Sequence, residues 1–187
     1  MKLAIVSKEK ETIGNITKCY RDADQKYQSV FELAAYDASI LQGEPAILKM
    51  YADIKEADIC ILDVDNETEF SLLFNAVHAC IECKGYVIPS DFKSSIRNFL
   101  RIGLLTIEDI ISINPRFDMD TNYLLMVKTV QSIEGSGSKV LGRLKDFKNY
   151  LLICRYIKLG DEDNSSRLLS LLAEEYGKSF RTGRRIS

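Results

Sequence analysis

Short apolar runs alternate with longer segments of helical apolar spacing in the first half of the chain. The clearest strand is Asp58 to Val64, a near-continuous apolar run typical of strands that helices cover on both faces. Three further runs are predicted strands: Lys2 to Ser7, Ser29 to Tyr36 and Gly85 to Pro89. Helices are predicted between the strands at residues 8–24, 45–54 and 67–83. This alternation predicts a parallel sheet with right-handed crossovers.

Beyond Pro89 the apolar spacing is helical. Four helices are predicted between Pro89 and Gly160: Asp91 to Leu105, Thr106 to Ile113, Thr121 to Glu134 and Lys139 to Leu159. Residues 135–138 form a predicted flexible joint. The predicted fold class is therefore α/β, with a Rossmann-like parallel sheet of about four strands in residues 1–90 and a mostly helical portion in residues 91–187. Doubly wound sheets commonly have more strands, so we expect either an N-terminal fragment of a larger protein or a small self-contained sheet.

The last predicted helices are separated by a short polar break. Gly160 is a predicted helix stop, because glycine readily adopts the positive φ that often follows a helix. Asp163 or Asn164 is predicted to cap the next helix by accepting a hydrogen bond from a free amide of its first turn. Four leucines give that helix an apolar face: Leu168, Leu169, Leu171 and Leu172.

This break also carries a family resemblance. The residues that carry it are Tyr156-Ile157, Gly160, Asn164, Leu168-Leu169 and Leu172-Ala173. Together they resemble a segment near the N-terminus of the cobaltochelatase large-subunit family, to which the H subunit of magnesium chelatase belongs. Asp161 stands where the family has a second glycine, and Ser165 replaces a leucine. The upstream order of a Rossmann-like start, a Phe-rich helix and a Gly-Tyr-Val-Ile-Pro strand is similar too.

The resemblance implies a role in metal insertion into a tetrapyrrole of the cobalamin type. Subunits of this family bind the tetrapyrrole, and separate ATPase subunits supply the ATP hydrolysis that drives insertion of cobalt or magnesium. The residues of metal insertion lie mostly in a much larger body, so this chain is expected to be a non-catalytic module that holds no cofactor. Tyr156, Gly160 and Asn164 match the family motif, and we expect their role to be structural.

Polar residues at two strand ends are candidate ligands. Asp63, Asp65 and Asn66 follow the third strand, where open α/β sheets bind their ligands. The alternative interpretation is that Asp65 and Asn66 cap the following helix. Ser7 and Lys8 end the first strand beside a helix N-terminus, which can bind an anion. However, the chain has no glycine-rich phosphate loop.

Two alternative functions remain open. The segment Ala57 to Phe70 resembles nucleoside deoxyribosyltransferases, which would place Asp63, Asp65 and Glu69 around a ribose. The Asp-x-Gly-Thr and Glu-x-Gly pieces of those enzymes are missing from the sequence. The other alternative is a stand-alone interaction domain without a small-molecule site.

His78, Cys80 and Cys83 lie within six residues of one another, and a Cys-x-x-Cys pair can bind zinc or cycle as a redox pair. A structural zinc site needs four ligands, and the sequence has no second close pair of ligands. Because both cysteines fall in a predicted helix, we expect them on its apolar face and predict no metal site. The basic tail, Lys178 to Arg185, is interpreted as a solvated chain end rather than a ligand-binding segment.

Charge, apolar content and cysteine usage limit the binding partners and the cellular compartment that we expect. The formal net charge of −2 gives no general attraction to nucleic acid or anionic membranes. No apolar run approaches the roughly 18 residues of a membrane helix. Five scattered cysteines argue against a disulfide framework and for a reducing compartment. We therefore expect a cytoplasmic protein that binds neither nucleic acid nor membranes.

Overall fold

The computed structural model describes residues 1–28, 30–40, 43–64, 67–90, 95–113 and 139–177. The side chains of residues 67–72, 113 and 139–141 are outside this description. The predicted helix at residues 121–134, the joint at 135–138 and the basic tail also lie outside the described residues.

One mixed sheet confirms the predicted α/β class. Its strands are β1 (Lys2–Ser7), β2 (Glu32–Asp37), β3 (Ile59–Asp63), β4 (Tyr86–Pro89), β5 (Arg101–Ile102) and β6 (Leu105–Thr106). They lie in the order β2-β1-β3-β4-β5-β6. The first four pair in parallel and match the predicted strands, while β5 and β6 are antiparallel. The predicted count of about four strands was therefore too low.

The two missing strands lie in a segment that was predicted to be helical. Ser95–Phe99 form only a short 3₁₀ helix, and the chain then turns through a hairpin at Gly103, whose φ is +57°. Ile102 and Leu105 are buried on either side of this turn. The prediction was wrong here because two-residue strands are too short to show a period of two.

Six helices cover the sheet in the described part of the chain. They are α1 (Lys10–Lys26), α2 (Glu44–Lys55), α3 (Glu67–Glu82), α4 (Ile107–Ile113), α5 (Lys139–Leu159) and α6 (Glu162–Glu175). Alternate residues of β1 point to opposite faces, as the strand period requires. Leu3 and Ile5 pack in one cluster with α1, α5 and α6, whereas Ala4 and Val6 pack in another with α2 and α3. None of the described helices has both the length and the apolar character needed to cross a bilayer.

The break between α5 and α6 is where the sequence predicted it. Gly160 has a φ of +61°, and its amide donates to the Tyr156 carbonyl at 3.0 Å. The predicted cap was wrong: Asp161, not Asp163 or Asn164, caps α6 by accepting a hydrogen bond from the Asn164 amide at 2.8 Å. Because Gly160 reverses the backbone in a single residue, the new helix begins at once and the cap falls on the next residue.

A polar network joins β1, β2 and α2 at the side of the sheet. Lys2 Nζ lies 2.9 Å from Asp53 Oδ1 and 2.9 Å from Glu56 Oε2. The Tyr36 hydroxyl donates to the other Asp53 oxygen. Burial alone would raise the pKa of Asp53, but the hydrogen bond from Tyr36 and the contact with Lys2 outweigh it and hold this pKa below its usual range.

Replacing Asp53 with asparagine should lower the free energy of unfolding by about 1 kcal/mol at pH 7. A carboxyl group whose pKa is lower in the folded state stabilises the fold above its unfolded pKa of about 4, and this contribution is lost as the pH falls through the folded pKa. Urea denaturation at pH 7 and pH 3 should show the difference between wild type and variant shrinking in acid. Glu56→Gln is the matched control, with a small effect, because Glu56 is 69% exposed. If the free energies of unfolding of wild type and Asp53→Asn differ by the same amount at pH 7 and pH 3, the stabilising role of the charged Asp53 in this network is contradicted.

Candidate functional site

Four polar residues stand side by side where the parallel strands end. Ser7 at the end of β1 is the register partner of Asp37 in β2 and of Asp63 in β3, and Ser90 directly follows β4. Side chains alternate between the two faces of a strand, and all four residues fall on the face that packs against α1, α5 and α6. We call Asp37, Ser7, Asp63 and Ser90 the carboxyl-edge row. The row spans the switch point between β1 and β3, at the end of the sheet where ligands of open α/β folds bind.

Asp63 holds the centre of the row together. Its Oδ2 accepts a hydrogen bond from Ser7 Oγ at 2.6 Å, and its Oδ1 accepts one from Ser90 Oγ at 2.6 Å. Ser7 Oγ in turn accepts from the Glu9 amide at 3.0 Å, next to the start of α1. The carboxylate therefore ties the ends of three strands and the first turn of α1 into one hydrogen-bonded unit.

Main-chain hydrogen bonds continue past the strand ends and fix the position of the row. The Lys8 amide donates to the Asp63 carbonyl at 3.1 Å, and the Ala38 amide donates to the Ser7 carbonyl at 2.8 Å. The predicted candidates Ser7, Lys8 and Asp63 are thus neighbours in space. Ser7 lies between two aspartates whose strands are each about 4.8 Å away. This charge disfavours binding of a phosphate here, despite the adjacent helix N-terminus.

Asp37 is a member of the row that the sequence did not reveal. Its side chain is only 9% exposed. Oδ1 accepts hydrogen bonds from the Ser39 amide at 2.9 Å and the Ser39 hydroxyl at 2.5 Å. Oδ2 is buried, and no donor among the described residues reaches it. A buried acceptor without a donor costs about 1–3 kcal/mol, so Asp37 Oδ2 is an unsatisfied acceptor at this end of the row.

The sequence feature that could have identified Asp37 as a site residue was its position directly after a predicted strand. That strand was predicted to end at Tyr36, one residue short of the observed end of β2 at Asp37. Asp65 and Asn66 lie outside the described residues, as does the side chain of Glu69. Whether Asp65 and Asn66 bind a ligand or cap α3 therefore stays a prediction.

Tyr150 and Cys154 of α5 lie against the end of β4. The Tyr150 hydroxyl donates to the Pro89 carbonyl at 3.1 Å, and Cys154 Sγ lies 3.6 Å from the same oxygen. Burial raises the pKa of the Cys154 thiol well above its usual range, and the nearby Asp63 carboxylate raises it further. Cys154 is therefore a neutral packing residue rather than a thiolate nucleophile.

His78, Cys80 and Cys83 do not form one site. Cys80 is buried with Sγ 3.5 Å from the Ala57 carbonyl, whereas His78 is on the surface with Nδ1 3.4 Å from Glu82. Cys83 is exposed just beyond α3, so its predicted place on the apolar face of the helix was wrong. Across the described ranges, no group of three or more His, Cys, Asp or Glu side chains is arranged to hold a metal ion.

Three residues that the sequence analysis singled out, Tyr156, Gly160 and Asn164, lie at or next to the joint between α5 and α6. Asn164 donates to Asp161 through its amide and, at 2.6 Å, through Nδ2. Asn15 Nδ2 of α1 donates to the Gly160 carbonyl at 2.9 Å. Tyr156 is partly buried against the cluster that α1, α5 and α6 share. The hydrogen bond from Asn15 to Gly160 thus attaches the joint between the two helices to α1.

The sequence matches no model of a known protein family and no curated protein.

Proposed function

We propose that this chain is a non-catalytic module of a cobalt or magnesium chelatase large-subunit-like protein, which takes part in cytoplasmic metal insertion into a tetrapyrrole. Its partners would be the tetrapyrrole, of the cobalamin type, and the ATPase subunits of the chelatase. ATP and the inserted cobalt or magnesium belong to that complex rather than to this chain.

The observation that carries this proposal is the joint between α5 and α6. Gly160, Asn164 and Tyr156 match the family motif and lie at or next to this joint, where Gly160 accepts a hydrogen bond from Asn15 of α1, Asn164 bonds to the cap residue Asp161, and Tyr156 packs against the shared apolar cluster. A motif that positions helices on a sheet suits a scaffold that orients a larger protein. Both Asp63 oxygens accept a hydrogen bond from a serine, which also favours a structural or binding role over proton transfer at this carboxylate.

A titration of the purified chain with a metal-free corrinoid and with a porphyrin tests this proposal. We expect a saturable change in tetrapyrrole absorbance, accompanied by quenching of tyrosine fluorescence. In parallel, sedimentation with chelatase ATPase subunits should show a complex that Gly160→Ala weakens, because that variant disturbs the joint. Gly14→Ala, in an open position on α1, is the matched control. Binding of neither tetrapyrrole nor ATPase subunits would reject the chelatase assignment and favour an interaction domain with another partner.

A second candidate is a nucleoside-handling α/β protein similar to nucleoside deoxyribosyltransferases. The observation that favours it is the pair of aspartates, Asp37 and Asp63, on either side of Ser7 at the switch point. A nucleoside panel followed by thermal shift distinguishes the two, since a specific ligand stabilises the native state by mass action. A nucleoside-specific shift that Asp63→Asn removes, without tetrapyrrole binding, would replace the first proposal with the second.

A further inference from the structure

We propose that Asp37 is the ribose-binding residue of a nucleoside site at the β2 end of the carboxyl-edge row. The ligand class is a ribonucleoside, bound through its vicinal hydroxyl groups without a phosphate contact. This inference rests on the second candidate function, the nucleoside-handling protein, and not on the chelatase proposal, because the site and the joint between α5 and α6 use different residues.

The first support is topological. Asp37 is the last residue of β2, the strand beside β1, and so ends the first β-α-β unit of the sheet. In dinucleotide-binding sheets, an acidic residue downstream of the first helix receives the ribose 2′-hydroxyl. Because Asp37 and Ser7 are register partners in parallel strands, their side chains project from the same face at the same end of the sheet.

The second support is the unused acceptor. Oδ1 of Asp37 is engaged by Ser39, whereas Oδ2 meets no donor from the described part of the chain. A ribose offers two adjacent hydroxyl donors, and a carboxylate is an acceptor with capacity on both oxygens. Hydrogen bonds to a charged acceptor are stronger than those between neutral groups, so the ribose would be held mainly by Asp37.

The charge and shape of the row argue against a nucleotide phosphate at the same place. Asp37 and Asp63 flank Ser7, and Ser7 Oγ is already shared between Asp63 and the Glu9 amide. The turn from β1 into α1 contains no glycine before Gly14, unlike the glycine-rich turns that let a backbone approach pyrophosphate. Since Oδ2 is buried, ligand entry requires a local shift of the atoms around Asp37.

Isothermal titration with adenosine, guanosine, cytidine and uridine, each beside its 2′-deoxy counterpart, tests the site on the whole chain. At least one ribonucleoside should bind saturably, and its 2′-deoxy form should bind about tenfold more weakly or worse, because one hydrogen bond to the carboxylate is lost. Asp37→Asn should weaken the ribonucleoside by a similar factor. Asp22→Asn, an exposed aspartate on α1, removes the same charge and should leave binding unchanged.

Three results would overturn the site: no binding of any ribonucleoside, equal affinity for ribo and 2′-deoxy forms, or binding that Asp37→Asn leaves intact. The comparison of ribo and 2′-deoxy ligands uses only the wild-type chain, so it remains decisive if the variant does not fold. Tetrapyrrole titration of Asp37→Asn keeps the two proposals apart. If Asp37→Asn still binds tetrapyrrole but no longer binds the nucleoside, both proposals are supported. If it loses tetrapyrrole binding but keeps nucleoside binding, the Asp37 site alone is rejected.

Discussion

Replacing Asp63 with alanine should lower the free energy of unfolding by about 3 kcal/mol or more. The carboxylate accepts hydrogen bonds from Ser7 and Ser90, and each bond to a charged acceptor contributes about 1.5–3 kcal/mol. Ser7 is fully buried, so its hydroxyl would lose its acceptor without gaining water. Urea denaturation followed by circular dichroism measures the change.

A double-mutant cycle separates these two hydrogen bonds. Ser7→Ala and Ser90→Ala should each cost less than Asp63→Ala, and each should add little to a chain that already lacks the carboxylate. Asp63→Asn keeps an acceptor and should be milder, which makes it the better variant for ligand studies. An Asp63→Ala chain as stable as wild type would show that the row contributes nothing to the fold.

Replacing Gly160 with alanine should cost about 3 kcal/mol. An L-residue at a φ of +61° loses roughly 1–2 kcal/mol, since its Cβ crowds the backbone. The new Cβ would also overlap Thr12 Oγ1 and lie 3.2 Å from Thr12 Cβ, at a side chain that is itself buried. Thermal or urea unfolding of the variant measures the loss.

The Thr12→Ala substitution tests whether the clash has been located correctly. It removes Oγ1, so Gly160→Ala should cost less in a Thr12→Ala chain than in wild type, while the penalty from the positive φ remains. Gly14→Ala is the opposite case: no heavy atom lies within 4 Å of its added Cβ, and alanine favours the helix, so stability should rise by up to about 1 kcal/mol. If Gly14→Ala and Gly160→Ala changed the free energy of unfolding equally, the close contact between Gly160 and Thr12 of α1 would be contradicted.

The two proposals draw on different parts of the molecule. The chelatase proposal rests on the joint at Gly160, and the ribose proposal rests on Asp37 at the sheet edge. Because the two sites share no residue, complex formation by Gly160→Ala and nucleoside binding by Asp37→Asn address separate questions. Together with the tetrapyrrole titration they decide whether the chain is a scaffold, a ligand-binding module or both.

The sequence by itself determined the elements that depend on local pattern. β3 follows from its continuous apolar run, α5 from apolar residues in helical phase, and the break at Gly160 from the only residue type without a Cβ. These signals are local because each arises from the period of one element or the conformational freedom of one residue. The α/β class follows from their order along the chain.

Only the tertiary structure decided which polar groups meet. The β5–β6 hairpin is held by pairing with β4 and by Asp146, which accepts a hydrogen bond from the Leu104 amide at 2.8 Å. Ser90 meets Asp63 because β4 pairs with β3, and Asp37 joins Ser7 because β2 pairs with β1. Strand order and register are set by non-local packing and hydrogen bonding, so hydrogen-bonded neighbours in the site are separated by 27 residues, as for Asp63 and Ser90, or by 56, as for Ser7 and Asp63.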